Sequence, residues 1–225
     1  KALAYFKSVF GEGGEEAFVD FGRELDSTGQ YEKSARVWQQ IVALDPASPN
    51  NVQYQTYVLR GTFKLRRWPD VEKQLHELLD RYRKRFGKPT DEGTPPFEAE
   101  KMAREVVLAQ HFEFKDSREE SDVDRMLRMD GEYLAAFGNW PGSREVLYEY
   151  ALELMKKKRY ADAVPPLKEP WTRFGKDLKE PIREEALRNL LVSLEKVEAK
   201  EAETASMTAV ATDIERFSGE YLKAY

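Results

Sequence analysis

The chain has no cysteine among its 225 residues and only two histidines, His76 and His111. The first absence excludes disulfides, thiolate metal sites and cysteine nucleophiles. The second leaves too few imidazoles for a histidine-built zinc centre, which needs three or four ligands brought together. Long apolar runs are also lacking. None approaches the ~20 residues that a membrane helix requires, so no span is expected here. Charge of one sign is not in excess: 36 Lys+Arg stand against 41 Asp+Glu, interspersed to a net −5. That balance argues against nucleic acid as the partner, because phosphate binding rests on clustered cations. Runs of alternating β-branched residues bounded by turn residues, the mark of strands, are nearly absent.

Chemistry-bearing motifs are equally sparse. His76-Glu77-Leu78-Leu79-Asp80 matches only the first half of the zinc-protease helix H-E-x-x-H, with Asp80 in place of the second His. The acidic run from Asp116 to Asp124 lacks the glycine of a calcium loop and reads as a helix start, where carboxylates favour the macrodipole. No Gly-rich phosphate loop and no Ser-His-acid arrangement stands out. No catalytic residue, metal or cofactor is therefore expected. Two basic clusters, Arg81, Arg83, Lys84, Arg85 and Lys88 and then Lys156 to Arg159, read as cations at helix C-termini. The alternative for them is an acidic partner or anionic headgroups.

What the chain does have is apolar content of 41%, charge of 34% and 12% aromatics, including four Trp and eleven Tyr. That is too apolar for disorder and suits charged helices packed through large side chains. Phe18, Phe21, Gly22 and Leu25 fall at i, i+3, i+4 and i+7, one helical face. Gly29 is placed as a left-handed cap. A second stripe follows, with Tyr31, Ser34, Ala35, Trp38, Ile41 and Val42, and Pro46 stops it. A second copy carries Leu147, Tyr150, Ala151 and Leu154, then Tyr160, Ala163 and Leu167, with Gly175 in the slot of Pro46. The distance from first slot to last is the same in both copies.

This order of aromatic, apolar, Gly, apolar, then Ser/Ala, aromatic and Pro resembles the tetratricopeptide repeat. The implied fold is all-α: a right-handed superhelical α-solenoid of antiparallel helix pairs. Gly22 is expected where two helices cross too closely for a side chain, and Trp38 in the gap between adjacent pairs. Weaker copies fill the middle. Tyr54, Tyr57, Val58, Gly61 and Leu65 make one helix and Trp68, Val71, Leu75 and Leu78 the next, with an apparent extra residue at the join. Phe97 to Phe114 and Arg118 to Phe137 make another pair, with Ser117 and Glu120 spaced as a capping box. Pro181 to Glu203 and Thr204 to Tyr225 close the chain as two helices. The expected division is residues 1–86 as N-terminal helix pairs, 87–96 as a loop or hinge, and 97–225 as C-terminal helix pairs. Ala2, Phe6 and Val9 read as the second helix of a pair, which makes the chain an expected fragment of a longer protein.

The resemblance also implies a binding face. In such repeats the first helix of each pair lines a concave groove. The matching positions are Glu16, Val19, Arg23 and Asp26 in the first copy and Glu145, Tyr148, Leu152 and Met155 in the second. The middle unit would add Gln55 and Leu59, or Gln53 and Arg60 in the other register. Tyr148, Leu152 and Met155 are apolar where solvent is expected, which suits a partner helix or extended peptide unless a neighbouring helix covers them. The Lys–Asn pair with which some members hold a chaperone tail is absent. The implied function is a scaffold or adaptor holding a protein or peptide. The alternative is the docking module of a multidomain enzyme whose catalytic part lies elsewhere. Degenerate repeats and bulky aromatics resemble bacterial envelope solenoids, giving an expectation of the periplasmic side. Oligomeric state is left open.

Overall fold

The computed structural model describes residues 5, 8–9, 11, 14–87, 95–114, 116–117, 119–138, 140–174, 182–201 and 208–224. Among them the ordered elements are helical: α1 (Gly14–Ser27), α2 (Tyr31–Leu44), α3 (Asn51–Lys64), α4 (Trp68–Phe86), α5 (Pro95–Phe114), α6 (Glu120–Phe137), a 3-10 turn (Pro141–Ser143), α7 (Arg144–Lys156), α8 (Tyr160–Phe174), α9 (Ile182–Glu201) and α10 (Thr208–Ala224). The chain divides into two compact units, residues 1–110 with 135–137, and residues 111–134 with 138–225. That division differs from the expected one, because α5 runs unbroken from Pro95 to Phe114 and belongs to both. Residues 88–94 of the expected hinge, the Ala2 and Phe6 positions and Gly175 lie outside the described residues.

Three connections are built alike. Residues 28–30 join α1 to α2, residues 65–67 join α3 to α4, and residues 157–159 join α7 to α8. The middle residue of each is left-handed: Gly29 at φ 72°, Arg66 at 55° and Lys158 at 56°. In each, its N–H donates to the carbonyl three residues back, Asp26, Phe63 or Met155. A three-residue link closed this way folds the second helix antiparallel against the first, and each such pair is packed together. Only the first link uses the glycine that this conformation favours; the other two hold a side chain there at a cost of about 1–2 kcal/mol.

The connections also fix the register of the middle pair. Counted from Arg66 as from Gly29, the slots of Phe18, Phe21, Gly22 and Leu25 correspond to Gln55, Val58, Leu59 and Thr62. All four are buried, and so are Trp68, Val71 and Leu75 across the join. The join carries no extra residue. Gly61 lies outside these slots and sets how closely α3 crosses α2, since a β-carbon on it would lie 3.1 Å from the Tyr31 carbonyl oxygen and 3.2 Å from Ala35 Cβ.

The first unit is centred on Trp38, which is fully buried. A β-carbon on Gly22 would stand 2.9 Å from its indole ring. Tyr54 stacks on the ring at 5.6 Å and Tyr57 tilts against it at 4.7 Å, so Trp38 fills the space between one helix pair and the next. Phe18, Val19, Leu25, Val37, Ile41 and Val58 complete the cluster. Phe21, expected on the same stripe, is instead 40% exposed. Farther on, Tyr82 is buried against Phe86 and Phe137, and burial raises its phenol to about 12. In the second unit Ala151, Leu154, Ala163, Leu167, Leu187, Leu190, Leu194 and Phe217 form one core across α7 to α10. The expected capping box is not made. The helix starts at Glu120, and Ser117 Oγ instead donates to Asp122 Oδ2 at 2.8 Å and accepts from the Glu119 N–H.

Candidate partner-binding face

The first helix of each matched pair presents the same slots, and the structure sorts their occupants. Val19 is only 8% exposed and packs in the Trp38 cluster, so it is core and not groove lining. Asp26 is occupied structurally. Its Oδ1 accepts from Ser34 Oγ at 2.6 Å and its Oδ2 from Trp38 Nε1 at 3.1 Å, which fixes α2 on α1. Arg23 is exposed, with Nη1 2.8 Å from Asp20 Oδ1. Glu16 is exposed beside it on the helix. An ion pair this open contributes little to stability and leaves both groups available.

In the middle pair the connection selects the second of the two expected registers. Gln55 and Leu59 are buried, and Gln55 Nε2 donates inward to Gln74 Oε1 at 3.0 Å. Gln53 and Arg60 take the slots of Glu16 and Arg23. Gln53 is exposed and its Nε2 donates to Tyr57 Oη at 3.2 Å. Arg60 is half-buried, with its guanidinium 5.3 Å from the centre of the Tyr57 ring. The first helices of the two pairs in the first unit therefore display two guanidiniums in matching slots, with an amide, a phenol and carboxylates around them.

The second unit differs. Glu145 is exposed, whereas Tyr148, Leu152 and Met155 are half-buried. Tyr148 and Met155 pack on the α7–α10 core, and Asn189 of α9 donates to Tyr148 Oη at 3.2 Å. Burial, and then the charge of Glu185, raises the Tyr148 phenol above its ordinary value. A neighbouring helix thus covers part of this apolar stripe.

The charge clusters resolve differently from each other. In the second unit Lys157 Nζ reaches Asp124 at 2.9 Å and Glu120 at 3.2 Å, so the basic join meets the acidic start of α6. Lys156 pairs with Glu153 and Arg159 with Asp162. Three of the four cations of that patch are thus paired within the chain.

His111, unremarkable in the sequence, lies buried with Nε2 2.7 Å from the buried Asp130 carboxylate. Burial lowers its pKa, but the Asp130 hydrogen bond and the charges of Asp130, Glu149 and Glu153 outweigh this and leave it raised. Glu149 is raised chiefly by burial. His76 is exposed on α4. Among the described residues no three His, Asp or Glu side chains form a group that could hold a metal ion, and no helix is long and apolar enough to cross a membrane.

Fold and repeat geometry together define an all-α chain of antiparallel helix hairpins with one recurring connection. The solved structures it is similar to include that of a putative kinesin light chain from Podosopora anserina with nearly identical TPR-like repeats: 12% identical, covering 91% of this chain and 95% of that one, TM-score 0.42. A single-site variant of that protein is 13% identical over 92% and 96% of the two chains, with the same TM-score of 0.42. No family model and no curated protein matches the chain.

Proposed function

We propose that the chain is a protein-interaction scaffold that holds a protein or peptide on the first helices of its hairpins and performs no chemistry itself. One observation supports this above the others. The same left-handed connection recurs three times and sets Glu16, Gln53 and Glu145, then Arg23, Arg60 and Leu152, in corresponding slots. Repetition of one backbone unit with varied side chains at fixed outward slots is how repeat arrays build extended binding surfaces. In the first unit the slots favour a partner with carboxylates or backbone carbonyls, which guanidiniums hold in fork geometry. The half-exposed Leu152 and Met155 suit an apolar side chain, and Met adapts to its shape.

Selection from a random peptide library tests the proposal. Peptides enriched on the native chain should be acidic and should lose at least about tenfold in affinity on Arg23→Glu with Arg60→Glu, a difference of ~1.4 kcal/mol. Enriched peptides that bind the double variant unchanged would overturn it.

A further inference from the structure

A second site lies away from those slots, in the first unit. The loop between α2 and α3 and the C-terminal part of α4 enclose a cleft of about 200 Å³, lined by Ser48, Pro49, Asn51, Arg81, Lys84 and Arg85 among others, with no carboxylate on its walls. The N-terminus of α3 opens at it, uncapped by any side chain. Such a terminus carries roughly half a positive charge.

Two buried polar atoms there lack partners. Asn51 is 4% exposed and donates Nδ2 to the Asp45 carbonyl at 2.6 Å, which orients its amide and leaves Oδ1 without a hydrogen bond. Arg81 Nε is buried and likewise unpartnered. A buried polar atom left unpaired is costly, because it has given up water for no partner. Cations in the last turn of α4 have a structural explanation, and Lys84 is held by Asp80 at 2.7 Å. Arg81 precedes that turn, so the explanation does not reach it. The cleft thus combines free acceptor capacity at Asn51 with donors and positive charge at Arg81, Arg85 and the helix terminus.

We infer that this cleft binds a small anionic group, a carboxylate or phosphate, presented beside an N–H or O–H that donates to Asn51 Oδ1. The anion lies on the Arg81 and Arg85 guanidiniums at the start of α3, and the neighbouring donor completes Asn51. A peptide carboxylate next to its own amide N–H and a phosphate with a protonated oxygen both have this pairing of groups.

The test is NMR titration of the full chain with N-acetylglycine, inorganic phosphate and acetate, following the Arg81 Nε–H and Asn51 Nδ2 signals. N-acetylglycine or phosphate should shift both saturably, more tightly than acetate, and Arg81→Gln or Arg85→Gln should each weaken that binding about tenfold or more. Saturation by N-acetylglycine alone assigns the carboxylate source, and by phosphate alone the phosphate source. Shifts that never saturate, acetate binding as well as the other two, or unchanged binding in folded Arg81→Gln would each overturn the inference. Arg23 and Arg60 take no part in the cleft, so their double variant should bind these anions normally.

Discussion

Trp38 occupies the space that a side chain on Gly22 would need: a β-carbon there would stand 2.9 Å from Cε2 and Cζ2 of the indole. The same indole donates Nε1 to Asp26, four residues along α1 from Gly22. A rigid ring held by a hydrogen bond on one side and stacked by Tyr54 and Tyr57 on the other cannot shift to make room.

Gly22→Ala is therefore expected to destabilise the chain by about 1–3 kcal/mol through overpacking, although alanine is the better helix former. Trp38→Ala removes the ring and should cost ~3–5 kcal/mol. Combined, the two should cost less than their sum, because the clash disappears with the ring. Urea unfolding of the four proteins measures this cycle.

The left-handed connections give a contrast. Lys158→Gly relieves a strained backbone and should stabilise by about 0.5–1 kcal/mol. Arg66→Gly relieves the same strain but loses the guanidinium 4.3 Å from the Phe63 ring, an interaction worth about 0.5–1 kcal/mol. It should come out near neutral. Thermal unfolding of both variants separates the two contributions.

The repeat resemblance implied a close helix crossing at Gly22 and a filled gap at Trp38, but that the two meet each other only the structure reveals. The register of α3 was not legible in the sequence, since nothing in Arg66 announces a left-handed residue; only the backbone, matching Gly29 and Lys158, reveals it. Val19 and Asp26 were misplaced for a related reason. The repeat resemblance implied that they line the groove, but Val19 is buried in the Trp38 cluster and Asp26 is bonded by Ser34 and Trp38. Periodicity reads one helix at a time, whereas burial depends on what crosses it. The Asn51–Arg81 cleft was invisible for the same cause, being assembled from the loop before α3 and the distant α4.

Stability should fall as pH rises through neutrality. His111 has a folded pKa raised above 6.5, so its contribution is complete below 6.5 and is lost as pH climbs through the raised value. Glu149, raised above 4.5, acts in the same direction at lower pH. Asp130→Asn should flatten the neutral part of the profile and lower stability on its acid side. Urea midpoints across this range give the comparison.

Tyr148→Ala with Met155→Ala is expected to lower the unfolding midpoint, because both side chains pack on the α7–α10 core and Asn189 loses its acceptor. Leu152→Ser should alter stability less. Circular dichroism melts of these variants establish how much of the stripe belongs to the core.

The scaffold reading depends on a partner lying along the first helices of the hairpins. Photo-crosslinking from single probes at positions 23 and 60, against probes at the exposed second-helix positions 36 and 73, measures that directly with the peptide obtained by selection. The expected result is capture from 23 and 60 and none from 36 and 73. Equal capture from all four, or capture from the second helices alone, would contradict it.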